Sequence, residues 1–507
     1  MLSSLFISNS KVTVIMKKKN VLKIISFLLA FVLTFAGIVH VLDFKYLDSI
    51  FKVDSFYELE DNTVDVLVIG SSHAYQGINT AVLWKDFGIA AFNFCGAAQP
   101  IWNTYYYLEE ALKTQTPKAI ILDTYYVHMS DDYTDESTAI KNTYGLKYSS
   151  TKGEAIKASF NTEKSGNQYF FSILQYHSRY SDLNKADFYP YQANEAMYKN
   201  HKGFYCYFHS DAVPERDLTE IEYYNTFTEK IDYYYRKIFE LANSKNIPLI
   251  PIAIPFNAEN YHQGFFNTAK YVAEEEYGVK FYNFITDYKS AIGLDYTTDF
   301  ADKQHLNHLG NTKLTTFLGN LLKNEYKVPD RRGDEKYESW EADAEVYYKQ
   351  LENHQVTKIS NLTDYAKVFK NNRYKIIMTS SFPDYEELPE ASKLYLEILG
   401  KALGITTEEQ KTGGMWIFEN GKKTYYNDCS QKNFTKAVKL GQYGGIEIRH
   451  TEKMFDETET FFVNSIHDNK KEVTVASYGL NIYVYDNFTQ SKVDMVALKY
   501  SDSTFYR

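Results

Sequence analysis

The chain has 507 residues, enough for two or three domains, and its formal net charge of −10 argues against nucleic acid as a partner. Three cysteines, Cys95, Cys206 and Cys429, are scattered without metal-ligand spacing, so neither a disulfide framework nor a zinc site is expected. Tyr (46) and Phe (34) are abundant; aromatic surfaces suit sugar stacking, but most of these rings are expected simply to fill cores and surface.

In chain order, residues 1–60 are read as a cytoplasmic N-terminus, a membrane anchor and a connector. Met16-Lys17-Lys18-Lys19 resembles a translation start, which would make the first fifteen residues an upstream extension. From Ile24 to Leu42 the chain is almost unbroken apolar, about the ~20 residues a spanning helix needs. Lysines 17, 18, 19 and 23 precede it, so the positive-inside rule places the N-terminus in the cytoplasm and everything after Leu42 outside. No small-x-small cleavage site follows the run, which favours an uncleaved anchor over a signal peptide.

A second region, residues 61–328, alternates strands and helices. Val64–Ile69, Ala90–Phe94, Ala119–Asp123, Leu249–Ile254 and Val279–Phe284 read as strands of a parallel sheet in a three-layer α/β/α sandwich. Pro251 inside the fourth implies a strand end or edge. Residues 130–225 break the alternation and are expected as an insertion over the sheet's active edge. Within them, Tyr176-His177-Ser178-Arg179-Tyr180 offers an imidazole and a guanidinium. These either bind an anionic group near a site or end a surface helix. The charge-dense stretch 329–352 reads as a linker running into a short helix, and 353–507 as a smaller β-rich domain. There Asn420-Gly421 is a hairpin-turn signal.

Two stretches carry chemistry. Val66–Ile69 is a short β-branched run, covered on both faces, that stops at Gly70 and delivers Ser72 to the carboxyl end of a strand, where ligands bind in open α/β sheets. Ser72 is there either a nucleophile or the cap of the next helix. Far downstream, Asp302-Lys303-Gln304-His305-Leu306-Asn307-His308-Leu309-Gly310 puts an acid and an imidazole three residues apart on one loop. The acid can orient the ring, and the ring can take a serine proton. Neither stretch calls for a metal or a cofactor. His73 and His308, flanking the motifs, are expected as satisfied or exposed histidines, and Asn307 as the residue that holds the loop.

Gly70-Ser71-Ser72-His73 together with Asp302-x-x-His305-Leu306-Asn307-x-x-Gly310 resembles the SGNH (GDSL-type) hydrolases over about residues 61–325. More narrowly, the chain resembles the membrane-anchored bacterial branch that includes alginate O-acetylation and D-alanyl-teichoic-acid proteins. The resemblance implies that Ser72, Asp302 and His305 form a catalytic set. It also implies a cell-surface glycan as substrate and, as a possible partner, a multispanning membrane O-acyltransferase. It asks for oxyanion donors beside the Ser72 N–H: Gly96 or Ala98 for a backbone N–H, and Gln99, Asn103 or Tyr125 for a side chain, since the family's Gly-x-Asn-Asp block is replaced by Asp123-Thr124-Tyr125-Tyr126. Segments of the Tyr-His-Ser-Arg type occur in that branch, which brings in His177 and Arg179 as substrate-binding candidates. Gly479–Asn487, Val493–Val496 and the Trp416 hairpin resemble the FAM3/ILEI-type domain, implying a module that either binds glycans or serves only as structure. Two function classes follow: an extracytoplasmic O-acyl (acetyl) esterase or transferase, or a non-catalytic accessory protein of a surface-polymer complex.

Overall fold

The computed structural model describes residues 18–43, 47–161, 167–183, 185–188, 201–382, 384–430, 433–441, 444–454, 460–468 and 470–507. It divides into two units, one of Met1–Lys45 with Glu163–Pro190, the other of Tyr46–Thr162 with Tyr191–Arg507. The proposed start at Met16 lies outside the described residues.

The first unit is built on a single helix, Lys18–Leu42. Its stretch Asn20–Leu42 is long and apolar enough to cross a membrane. Around it pack the short helices Ser172–Tyr176, His177–Ser181 and Lys185–Phe188. Residues 163–190, expected over the sheet's active edge, therefore belong to the unit of the apolar helix. The preceding part of the same segment stays in the second unit, where Ser150–Ser159 packs on Ile101–Ala111.

The second unit is mixed α/β. Strands β1 (Val66–Ile69), β2 (Ala91–Asn93), β3 (Ala119–Asp123), β4 (Leu249–Ala253) and β5 (Tyr282–Asn283) pair in parallel in the order β2-β1-β3-β4-β5. Successive side chains of these strands enter two different apolar clusters, as strands covered on both faces must. Leu67, Ile69, Phe92, Ile120 and Leu122 meet Trp102, Tyr107, Ile231 and Tyr235. Val66, Val68, Ala91, Ile121 and Ile252 meet Leu83, Leu314 and Leu318.

Pro251 lies inside β4, which has neighbours on both sides. The β3 bonds use the carbonyls of Pro248 and Ile252, so Pro251 turns its missing N–H toward β5. That strand has only two residues, and its pairing begins opposite Ile252, so no ladder bond is lost. The helix Glu229–Ser244, which leads into β4, is capped by Thr228, whose side chain accepts from Ile231 N–H.

The β-rich region holds two antiparallel sheets. One has six strands: β6 (Tyr374–Ser381), β7 (Gly414–Glu419), β8 (Lys422–Asn427), β13 (Gly479–Asp486), β14 (Ser491–Lys499) and β15 (Thr504–Tyr506), ordered β15-β14-β13-β6-β7-β8. The other has four: β9 (Phe434–Leu440), β10 (Gly444–Met454), β11 (Thr460–Asp468) and β12 (Lys471–Glu472), ordered β12-β11-β10-β9. Ile377, Ile417 and Tyr483 of the first sheet share a core with Val438, Ile446 and Ile466 of the second. Asn420 and Gly421 both adopt positive φ, 52° and 69°, which a two-residue hairpin joining β7 to β8 requires.

The stretch 329–352, read as a linker, is docked. Arg331 makes a bidentate pair with the buried Asp65 at 2.7 and 2.8 Å. Glu338–Val356 is a full helix whose Trp340, Ala344 and Tyr347 enter the core shared with β1–β3. The Trp340 indole N–H donates to the Ala91 carbonyl at 3.0 Å, and Asn353, three turns on, donates to Asp486 of β13 at 2.8 Å. The spacing 340, 344, 347 is a helical stripe, hidden in the sequence by the charges around it. Trp340→Ala is accordingly expected to cost about 3–5 kcal/mol. Denaturant unfolding measures this, and an unchanged midpoint would mean that the helix is dispensable to the core.

Candidate active site

Gly70 ends β1 with φ of +144°, and a Cβ there would lie 2.5 Å from Cβ of Asp123. Only glycine lets the end of β3 approach so closely. Asp123 uses that closeness. One carboxylate oxygen accepts from the Ser71 hydroxyl (2.7 Å) and Ser71 N–H (3.1 Å), and the other from Tyr125 N–H (3.0 Å). Burial raises the Asp123 carboxyl above the usual range, while these three donors pull it back. The Ser71 oxygen in turn accepts from His73 N–H at 3.3 Å and caps the helix Ser72–Gly77. The capping role that the sequence left open for Ser72 thus falls to Ser71.

Ser72 is half-buried, and its hydroxyl lies 3.0 Å from Nε2 of His305. Nδ1 of the same ring lies 3.0 Å from each oxygen of Asp302. The network assigns the tautomer: Nδ1–H donates to the carboxylate and Nε2 accepts from the serine. Asp302 is further fixed by Gln304 N–H (2.7 Å) and His305 N–H (3.0 Å). Partial burial pushes its carboxyl up, but the donors from His305 and Gln304 outweigh it, and the group ionises below the ordinary range.

The loop carrying both groups is pinned at several points. Ala301 N–H donates to the His305 carbonyl, Phe300 bridges Leu306, and Asn257 N–H donates to the Lys303 carbonyl. Asn307 caps the helix His308–Asn324 while its amide N–H groups reach the carbonyls of Thr298 and Phe300.

The remaining candidates are distributed as follows. Among the described residues, the Ser72 N–H has no acceptor. Gly96 N–H is engaged by the Gly70 carbonyl at 3.3 Å, and a Cβ there would meet Asn142 at 1.9 Å. Ala98, half-buried in left-handed conformation (φ 49°), has an N–H with no acceptor among the described residues. Gln99 and Asn103 are held inside the protein instead of facing a substrate. Gln99 donates to Asn142 and accepts from Thr104, and Asn103 exchanges hydrogen bonds with Ser159. Tyr125 stacks on the His73 ring at 3.6 Å and donates its hydroxyl to Gln304 (3.0 Å), tying the end of β3 to the Asp302–His305 loop.

His177 and Arg179 belong to the first unit, where His177 Nδ1 pairs with the Leu174 carbonyl and Arg179 with Leu42, Asp43 and Asp187. Of the two readings of this segment, anion binding or a helix end, the contacts describe a helix end: the guanidinium is engaged by carbonyls and a carboxylate.

A cluster of rings beside the site escaped the sequence reading. His73 is buried, 5.3 Å from the His305 ring centre and 5.3 Å from Phe256. Burial, then the neighbouring imidazoles of His305, His128 and His262, hold it neutral, far below its ordinary pKa. His128 and His262 lie 4.9 Å apart, and burial lowers His262 to about 4. The signal was positional: His128 and His262 follow the carboxyl ends of β3 and β4, the edge where Ser72 stands.

No protein-family model and no curated protein matches the chain.

The two serines are separable by stability. Ser71→Ala removes a helix cap and leaves Asp123 short of a donor, with an expected cost of about 1–3 kcal/mol. Ser72→Ala is expected to change unfolding by less than about 0.5 kcal/mol. Thermal or urea unfolding of the two variants checks the order, and the reverse order would contradict the capping assignment.

Proposed function

We propose that the second unit is a serine-dependent O-acyl esterase or transferase, with acetyl as the acyl group, working outside the membrane on a cell-surface polysaccharide. The observation that carries this reading is the unbroken path Ser72 Oγ–His305 Nε2, His305 Nδ1–Asp302, each step 3.0 Å. A serine hydroxyl at neutral pH is a weak nucleophile, and an adjacent base aimed by a carboxylate is what activates it. In this mechanism Ser72 Oγ attacks the acyl carbonyl, His305 Nε2 takes the proton and returns it to the leaving alcohol, and Asp302 holds the ring and balances its charge. The Ser72 N–H is the first oxyanion donor, and the unengaged Ala98 N–H is the second we assign. The acceptor of the acyl group, water or a sugar hydroxyl, defines esterase or transferase.

On this reading the parallel sheet is the centre of an SGNH-type three-layer α/β/α sandwich. The β-rich region 353–507 is an attached module of FAM3/ILEI type with a glycan-binding role. By the positive-inside rule, the lysines before Ile24 favour an extracellular position for that machinery, where a multispanning membrane O-acyltransferase could supply acyl groups. One observation favours the accessory-protein reading: Gln99 and Asn103 spend their amides internally, so neither provides the side-chain oxyanion donor. Loss of one such donor typically costs on the order of 10²–10³ in rate.

Turnover of an activated acetyl ester decides between the two. Ser72→Ala and His305→Ala should each abolish it, the double variant should be no worse than either, and Asp302→Asn should be impaired less completely. Retained turnover in folded Ser72→Ala protein would remove Ser72 as the nucleophile, and no turnover in the unaltered protein would leave the accessory role.

A further inference from the structure

We propose that residues 167–188 lie in the headgroup layer of the membrane, as a second lipid-contacting element beside the N-terminal helix. The inference rests on reading that helix as a membrane anchor.

The helix Lys18–Leu42 has 25 residues. At a rise of about 1.5 Å per residue it is about 37 Å long, against a hydrocarbon core of about 30 Å. With the lysine-flanked start at one face, Leu42 and Asp43 fall in the polar layer of the opposite leaflet. Whatever packs against that end shares its depth.

Residues of the sequence-distant segment do so. The Arg179 guanidinium donates to the Leu42 carbonyl at 2.8 Å and to the Asp43 carbonyl, two of the groups that the last turn of a helix leaves without an intrahelical partner. Such a cap is worth most where water is scarce, and a cation is favoured at a helix C-terminus. Asp187, almost fully buried, pairs with the same guanidinium, so the charge that enters the layer is neutralised locally.

The exposed face of the segment carries large apolar and aromatic groups beside the polar His177, Ser178, Ser181 and Asp182. Phe171, Leu174, Tyr180 and Phe188 are 46, 52, 73 and 56 % exposed. The described residues between 167 and 188 include basic and acidic groups in near balance: His177, Arg179, Lys185, Asp182 and Asp187. Aromatic and aliphatic side chains without a strong net charge fit the interface of a zwitterionic bilayer, where ring edges meet headgroups and ring faces meet acyl chains. A protein partner would have to cover the same side chains at the same depth, whereas the lipid is already there once the helix is inserted.

The test uses the full chain with its three cysteines replaced by alanine and single cysteines at Leu33→Cys, Leu174→Cys, Tyr180→Cys, Phe188→Cys and, as a solvent reference, Tyr148→Cys in the second unit. Each is labelled with an environment-sensitive fluorophore and reconstituted in phosphatidylcholine nanodiscs with or without lipids carrying a nitroxide quencher, placed just below the headgroup or at mid-chain. The proposal expects loss of emission at 174, 180 and 188 with the shallow quencher, loss at 33 with the mid-chain quencher, and none at 148. Quenching at 33 with 174, 180 and 188 behaving like 148 would overturn the proposal and leave the anchor standing. No quenching at 33 would overturn the anchor reading, and the proposal with it.

Discussion

The site depends on a buried carboxylate that takes no part in the proposed chemistry. Asp123, at the end of β3, gathers the Ser71 hydroxyl, the Ser71 N–H and the Tyr125 N–H into one cluster. It can do so because Gly70 has no Cβ to block the approach. With Ser71 held as the helix cap, the chain has no choice about the next side chain: Ser72 begins the helix at the sheet's carboxyl edge, its N–H unused among the described residues and its hydroxyl toward His305. Moving Asp123 would release the cap, the turn and Tyr125 together. A network of this kind is costly when partly satisfied and orienting when complete.

Tyr125 carries the same constraint to the Asp302–His305 loop. Its backbone is fixed by Asp123, its ring lies on His73, and its hydroxyl holds Gln304, whose own N–H holds Asp302. Strand end, ring stack and acid–imidazole loop are therefore one mechanical piece. The neutral state of buried His73 belongs to this arrangement, because a second imidazolium 5.3 Å from His305 would oppose the charge that the proposed mechanism puts on His305.

Much of this was legible from residue order. The apolar run Val66–Ile69 stopping at Gly70, and Asp302 three residues before His305, were enough to expect a strand-end serine facing an oriented imidazole. The Asn420-Gly421 hairpin followed from turn chemistry alone, since its two positive φ angles suit those residues. What escaped is what depends on tertiary partners. Gln99 and Asn103 look like free amides in sequence, and only the fold brings Asn142 and Ser159 to occupy them. Ser71 and Ser72 are chemically identical, and only the position of Asp123 separates the helix cap from the serine that meets His305. The stripe Trp340, Ala344, Tyr347 was masked by the acidic and basic residues around it, so a core helix read as a linker. Arg179 carries a charge shared with Asp187 nearby, but two of its partners, the carbonyls of Leu42 and Asp43, lie more than a hundred positions away in the chain.

In the proposed chemistry Ser72, and not its neighbour, is the activated hydroxyl. Treating the full chain with a fluorophosphonate and mapping the adduct by peptide mass spectrometry tests it directly, because phosphonylation needs a serine with a working base. One adduct is expected, on Ser72, that vanishes in His305→Ala protein and persists in folded Ser71→Ala protein. An adduct on Ser71, or equal labelling with and without the His305 imidazole, would contradict it.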